Sequence, residues 1–188
     1  MAEKTAEKPI NPDNQEFSYE IKIPEERVGV LIGEEGKVKK EIEAETKTQL
    51  DITADGDVTI AGEDALLLYT AREIVRAIAR GFNPKIALLL IKTDYALEMI
   101  DMKDIAGKSK NTMLRLKGRV IGKAGKSREE IERLTNTYIS VYGKTIGIIG
   151  ETADVYNARM AIAMLLKGSM HKTVFQFLEK KKKEMLFG

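Results

Sequence analysis

The sequence predicts an α+β protein built from two copies of one small module, each a three-stranded sheet packed by helices, with a further helix at the C-terminus. Three observations predict it. The chain matches itself at an offset of 89 residues, Gly33 falling opposite Gly122 and Gly36 opposite Gly125. Each copy alternates strand-like and helix-like hydropathy in the same order. Both carry a pair of glycines three residues apart at the same point of that order. One long period with two copies signals a duplicated domain, because a solenoid needs several short repeats.

The match runs from VGVLIGEEGKVKKEIEAETKTQLDIT, starting at Val28, against KGRVIGKAGKSREEIERLTNTYISVY, starting at Lys117. Past single-residue deletions it continues through Ile60-Ala61-Gly62-Glu63 against Ile148-Ile149-Gly150-Glu151. It then pairs Tyr69-Thr70-Ala71-Arg72 with Tyr156-Asn157-Ala158-Arg159 and closes with Gly81 against Gly168.

In the first copy FSYEIKIP alternates as a strand does and stops at Pro24, and EERVGVLIG has the crowded apolar spacing of a short buried helix. After the glycines, Val38, Ile42 and Thr46 recur at helical spacing from Lys37 to Thr46. LDIT and VTIAG then form a hairpin turning around Asp55-Gly56-Asp57. Glu63 to Arg80 is an amphipathic helix that Gly81 stops. The second copy repeats this with a strand near Leu97 to Asp104, helices over about 111–121 and 127–136, a hairpin of YISVY and TIGIIG turning at Gly143-Lys144, and a helix over 152–166. The expected boundaries are a first module over 16–82, an interdomain helical segment over 83–95 that packs between the modules, a second module over 96–168 and a C-terminal helix over 169–188. Residues 1–15, polar throughout, are expected to be disordered.

Composition removes several function classes. The 188 residues contain no cysteine and one histidine, His171, so thiolate catalysis, cysteine-ligated metals and an imidazole cluster are excluded, and no cofactor or metal is expected. No apolar run reaches membrane-spanning length, and the start lacks a signal-peptide core, which predicts a cytoplasmic protein with no membrane partner. Gly125-Lys126-Ser127 resembles the end of a nucleotide-binding P-loop, but that motif requires glycine where Val120 stands. An enzyme is not expected.

The glycine pairs carry the chemistry. Two glycines let the backbone bend sharply and approach a phosphate without a Cβ in the way, and the amides of the following helix point at the anion. The copies differ in charge. From Lys108 to Arg133 nine basic residues face three acids, a net of +6, whereas from Glu25 to Glu45 four face seven, a net of −3. Lys123 favours a phosphate at the second loop, and Glu34 and Glu35 oppose one at the first. The second copy is therefore the stronger candidate for nucleic-acid binding. The first, over Gly33, Glu34, Glu35, Gly36 and Lys37, is a weaker RNA site or a docking site for a protein partner.

Strand, helix, G-x-x-G, helix, hairpin, helix, read twice, resembles the type I KH domain, which clamps single-stranded RNA across about four nucleotides. With KGRVIGKAGKSREEIE in the second module and GFNPKIALLLIKTDYALEMIDM between the modules, the chain resembles the archaeal KH-domain small-subunit ribosome assembly factors of the partner-of-NOB and KRR families. The resemblance implies binding near the 3′ end of small-subunit rRNA during ribosome biogenesis. It implies as partners an rRNA-processing endonuclease and other small-subunit assembly or initiation factors. Carried over position by position, it places RNA contacts on Arg119, Ile121, Gly122, Lys123, Gly125, Lys126 and Arg128. The reading of the residues adds Lys117 and Ala124, with Val120, Ile121, Ile139 and Ser140 as the groove floor beneath the bases. The competing readings are a protein-interaction scaffold and an RNA-turnover adaptor. The adaptor would usually add a β-barrel for which the sequence shows no run of short strands.

Overall fold

The computed structural model describes residues 17–107 and 109–187, so the expected disorder of residues 1–15 falls outside the described chain, as does Lys108 of the basic run. The chain divides into two compact units between Ile91 and Lys92.

In the first unit β1 (Phe17–Lys22) leads through Pro24 into α1 (Glu25–Ile32), and a 3-10 turn over Glu34–Gly36 joins it to α2 (Lys37–Thr46). Strands β2 (Gln49–Ile52) and β3 (Asp57–Gly62) form the hairpin, and α3 (Ala65–Ala79) closes the unit. The Asp64 carboxylate caps α3, accepting from the amides of Leu66 and Leu67. The sheet is antiparallel with β3 in the centre, in the order β1-β3-β2. Along β3, Val58 and Ile60 are buried, as are Leu31 of α1, Ile42 of α2 and Ile74 of α3. The predicted linker is α4 (Pro84–Ala87), started by Asn83 and Pro84, followed by a 3-10 turn over Leu88–Ile91. Both pieces pack on α3 of this unit.

The second unit repeats the plan with β4 (Tyr95–Asp101), α6 (Lys110–Ile121), a 3-10 turn over Lys123–Gly125, α7 (Lys126–Thr135), β5 (Tyr138–Tyr142), β6 (Thr145–Glu151) and α8 (Thr152–Leu166). Its sheet order, β4-β6-β5, is that of the first. One expectation fails: the strand read to Asp104 ends at Asp101, and α5 (Lys103–Ala106) follows. The Asp101 carboxylate accepts from the Lys103 amide at 2.8 Å, which turns the chain out of the sheet. Finally α9 (His171–Phe187) lies against α7 and α8, burying Val174 and Leu178 in the core of the unit.

The repeat extends to hydrogen bonds. Thr46 donates to the Ile42 carbonyl and shares a 2.8 Å bond with Thr48; Thr135 does the same with Ile131 and Thr137. The Glu43 carboxylate accepts from the Leu50 amide at 2.8 Å, and Glu132 from Ile139 at 2.7 Å. In each unit this set ties the helix after the glycines to the first hairpin strand, and so fixes the loop relative to the sheet.

Candidate nucleic-acid interface

The second G-x-x-G is a tight hinge between α6 and α7. Gly122 has φ 74° and ψ 179°, a region open essentially to glycine alone. A Cβ there would stand 2.5 Å from Ser127 Cβ and 2.8 Å from its amide nitrogen, so the first glycine is demanded by space as well as by torsion. Ala124 and Gly125 are both left-handed, at φ 52° and 81°. The first loop has the same shape, with Gly33 at φ 72°, Glu35 at 53° and Gly36 at 76°, and a Cβ on Gly33 would meet Val38 at 2.5 Å. The two loops therefore share a backbone and differ in what they display.

In the second, Lys123, Ala124 and Lys126 are exposed, and no side chain caps the N-terminus of α7. An anion there meets helix amides and two ammonium groups together. Two of the three acids nearby are turned to other work. Glu130 is held by Arg133 at 2.6 and 2.9 Å, and that hydrogen bond keeps its carboxyl below the usual carboxylate range. Glu132 faces the Ile139 amide, and burial pushes its carboxyl above that range. Arg128 lies 3.7 Å from Glu132, and its Nε is buried without a hydrogen-bond partner among the described residues. In the first loop Glu34 and Glu35 are exposed instead, with Lys37 4.0 Å from Glu35.

The expected groove divides into two sets. Lys117, Gly118 and Ile121 lie on the outer face of α6, leading to Gly122 and Lys123, and Ser140 is half-buried on β5. Val120 and Ile139 are corrections: both are buried in the core of the unit, at 0% and 5% exposure, and do not floor the groove. Arg119 is a third. Its Nε donates to the Leu165 carbonyl at 2.8 Å and its Nη2 to Ser169 at 2.6 Å, so the guanidinium grips the end of α8. His171, read from the sequence as a surface or packing residue without catalytic role, shares a 2.8 Å bond with the Arg119 carbonyl and packs against Phe175. Sequence reasoning missed the positioning set of Glu132, Thr135 and Thr137. Its signal was there, since Glu43, Thr46 and Thr48 stand 89 residues earlier.

Residues 96–183 match the family model of the second KH domain of PNO1, a eukaryotic-type KH domain of type I, and residues 18–77 match the general KH domain model. A KH domain-containing protein of Methanocaldococcus jannaschii is 53% identical over 91% of this chain and 77% of its own length. The chain belongs to the PNO1 family. That family comprises KH-domain ribosome assembly factors, and this chain stands with its archaeal members. The RNA-binding protein PNO1 of Oryzias latipes is 32% identical over 60% of this chain, which spans 47% of that relative's length. Among solved structures, the a/eIF2alpha-aDim2p-rRNA complex from Pyrococcus horikoshii contains a chain 41% identical to this one. It matches with a TM-score of 0.83, covering 90% of this chain and 96% of that one. As KH domains, the two units explain the paired G-x-x-G loops. Among the described residues no helix is long and apolar enough to cross a membrane, and no group of three metal-ligating side chains occurs.

Proposed function

We propose that this PNO1-family chain binds single-stranded RNA through its second KH domain, near the 3′ end of small-subunit rRNA during ribosome biogenesis. The observation that carries the reading is the pair of loops. One backbone shape recurs, yet Lys123-Ala124 stands where the first loop has Glu34-Glu35. A phosphate backbone discriminates between those displays strongly, because each neutralised phosphate releases condensed counterions. The contacts fall on Gly122, Lys123, Ala124, Gly125, Lys126 and Arg128, with Lys117 and Ile121 along the approach. The complex of a related Pyrococcus protein with rRNA and an initiation factor subunit supports rRNA and an initiation factor as partners. An endonuclease acting on the same RNA end is a further partner, and the cytoplasm is the compartment. The activity is binding, not catalysis.

The first KH domain is the protein-facing one in this reading. Its exposed Glu34 and Glu35 sit where a phosphate would otherwise lie, and they suit a basic protein surface better than a second RNA segment.

The test is equilibrium binding of the full chain to a small-subunit rRNA 3′-terminal fragment and to a shuffled fragment of the same composition. Preference for the native fragment by about tenfold or more supports the rRNA assignment. Equal binding of both leaves an RNA clamp without the 3′-end specificity, and binding of neither points to the scaffold.

A further inference from the structure

Two helices meet at the second G-x-x-G, and α9, which lies outside the repeated module, holds both. α6 ends at Ile121 and α7 begins at Lys126, with the left-handed turn between them. Within that turn the Gly125 amide reaches the Gly122 carbonyl at a long 3.3 Å. So loose a hinge leaves the placing of the two helix ends to contacts outside it.

On the α7 side the hold is apolar: Val174 and Leu178 are buried in the same core as Ile131 and Leu134. On the α6 side it is polar and runs both ways. The Arg119 guanidinium donates to the Ser169 carbonyl at 2.6 Å, and the His171 ring returns a 2.8 Å bond from Nε2 to the Arg119 carbonyl. A carbonyl only accepts, so Nε2 carries the proton. The Arg119 carbonyl falls in the last turn of α6, just before Gly122, where the helix itself supplies no amide to pair with it. Phe175 packs against the imidazole, with ring centroids 6.1 Å apart, and fixes its orientation.

The first domain has half of this clasp. Arg27 reaches Ile78 and Phe82, the positions that match Leu165 and Ser169. Three residues past the matching glycines, however, Pro84 stands where the second domain has His171, and proline has no side-chain donor. The return bond belongs to the domain whose loop carries Lys123 and Lys126.

We propose that His171 is a positioning residue of the RNA clamp, and that α9 splints α6 and α7 at the angle in which G-x-x-G accepts a phosphate. The proposal rests on the reading of that loop as the clamp; His171 itself touches no nucleotide. With the splint in place the loop meets RNA already shaped. Without it, part of the binding energy goes into ordering the hinge. Such coupling is reciprocal, so RNA in the clamp tightens the hold of α9.

The experiment measures binding of the small-subunit rRNA 3′-terminal fragment, at two salt concentrations, to the full chain, to His171→Ala, to His171→Gln, and to Lys123→Asp with Ala124→Asp. His171→Ala should weaken binding about fivefold, the effect of one hydrogen bond, at an unchanged salt slope. His171→Gln, whose amide nitrogen can donate to the same carbonyl, should recover binding to within about twofold of the wild type. A residue with a structural role alone would lower melting temperatures and leave the affinity of the folded protein unchanged, and that result overturns the proposal. So does a slope lowered by about 0.7, the mark of a direct phosphate contact. Glutamine no better than alanine overturns it as well.

Amide exchange adds a readout that needs no variant. RNA should slow exchange at Phe175 to Leu178 in the wild type by about fivefold relative to the amides of β6. Equal slowing in both, or none, contradicts the splint. If the loop variant binds RNA as the wild type does, the clamp reading fails and its positioning fails too. If the loop variant loses binding and both His171 variants match the wild type, the positioning role alone is refuted.

Discussion

Arg119 donates from Nε to the carbonyl of Leu165 at 2.8 Å, and this bond joins the helix before the G-x-x-G loop to the end of the helix that closes the domain. The Nη2 bond to Ser169 makes the grip two-pronged. Arg27 does the same in the first unit, donating to Ile78 and Phe82 at 2.8 Å each. The accepting residues correspond in the repeat; the arginines do not. Arg27 aligns with Leu116, one helical turn before Arg119. Two positions on one helix face have thus arrived at the same brace, each donating to carbonyls at a helix C-terminus, of which Ile78 and Leu165 also accept from the amides of Gly81 and Gly168.

Arg119 should therefore behave as a brace and not as a phosphate contact. Arg119→Ala is expected to cost about 2 kcal/mol of stability through two lost charge-assisted hydrogen bonds, with Arg119→Lys intermediate. Where folding is retained, the salt slope of RNA binding should stay at the wild-type value. Urea unfolding with binding at two salt concentrations checks both parts, and a slope lowered by about 0.7 would restore Arg119 to the RNA interface.

The two glycines of the second loop should differ in tolerance. At Gly122 a methyl group meets Ser127 at 2.5 Å in a torsional region reserved for glycine, so Gly122→Ala is expected to cost about 3 kcal/mol. At Gly125 the nearest atom to an added Cβ is the Glu129 carboxylate at 3.5 Å, and only left-handed strain remains, about 1 kcal/mol. Thermal denaturation of the two variants should rank them in that order.

Glu132 predicts a pH dependence. Burial raises its pKa in the fold, so the native state holds that proton more readily than the unfolded chain. The stability it confers is complete below the ordinary value of 4.5 and is lost as pH rises through the raised native value. Glu132→Gln keeps an oxygen for the Ile139 amide and cannot titrate. The wild type should gain stability relative to Glu132→Gln as pH falls from 7 toward 4.5. Glu130, whose pKa is lowered by Arg133, acts in the opposite sense in both proteins and cancels in the comparison. Chemical denaturation across that range reads the difference, and a flat or inverted difference contradicts the assignment.

Most of the architecture was legible because duplication tests each local reading twice. A helix read over Lys37 to Thr46 and another over 127–136 support each other through the shared 89-residue offset, and both are present. The phase of α6 was harder. Val120 sits beside the glycines in sequence, which suggested a groove residue, but it shares the inward face with Leu116, four residues back. The arginine brace was hidden for another reason: Arg27 and Arg119 do not align, and only their common carbonyl targets reveal the equivalence. α5 was missed because KDIA is too short to show a period, and the turn at Asp101 that starts it depends on one side-chain bond.

The central claim is that loop charge, on a backbone common to both domains, decides which domain clamps RNA. The most direct measurement is the affinity for the rRNA 3′-terminal fragment, at two salt concentrations, of Lys123→Asp with Ala124→Asp and, separately, of Glu34→Lys with Glu35→Lys. Asp tolerates the left-handed torsion at position 124, so the first variant changes charge with little change in shape. The account predicts a loss of about a hundredfold with a flatter salt dependence in the second-loop variant, and equal or tighter binding in the first-loop variant. Unchanged binding after acidifying the second loop would contradict it and turn attention to the scaffold reading.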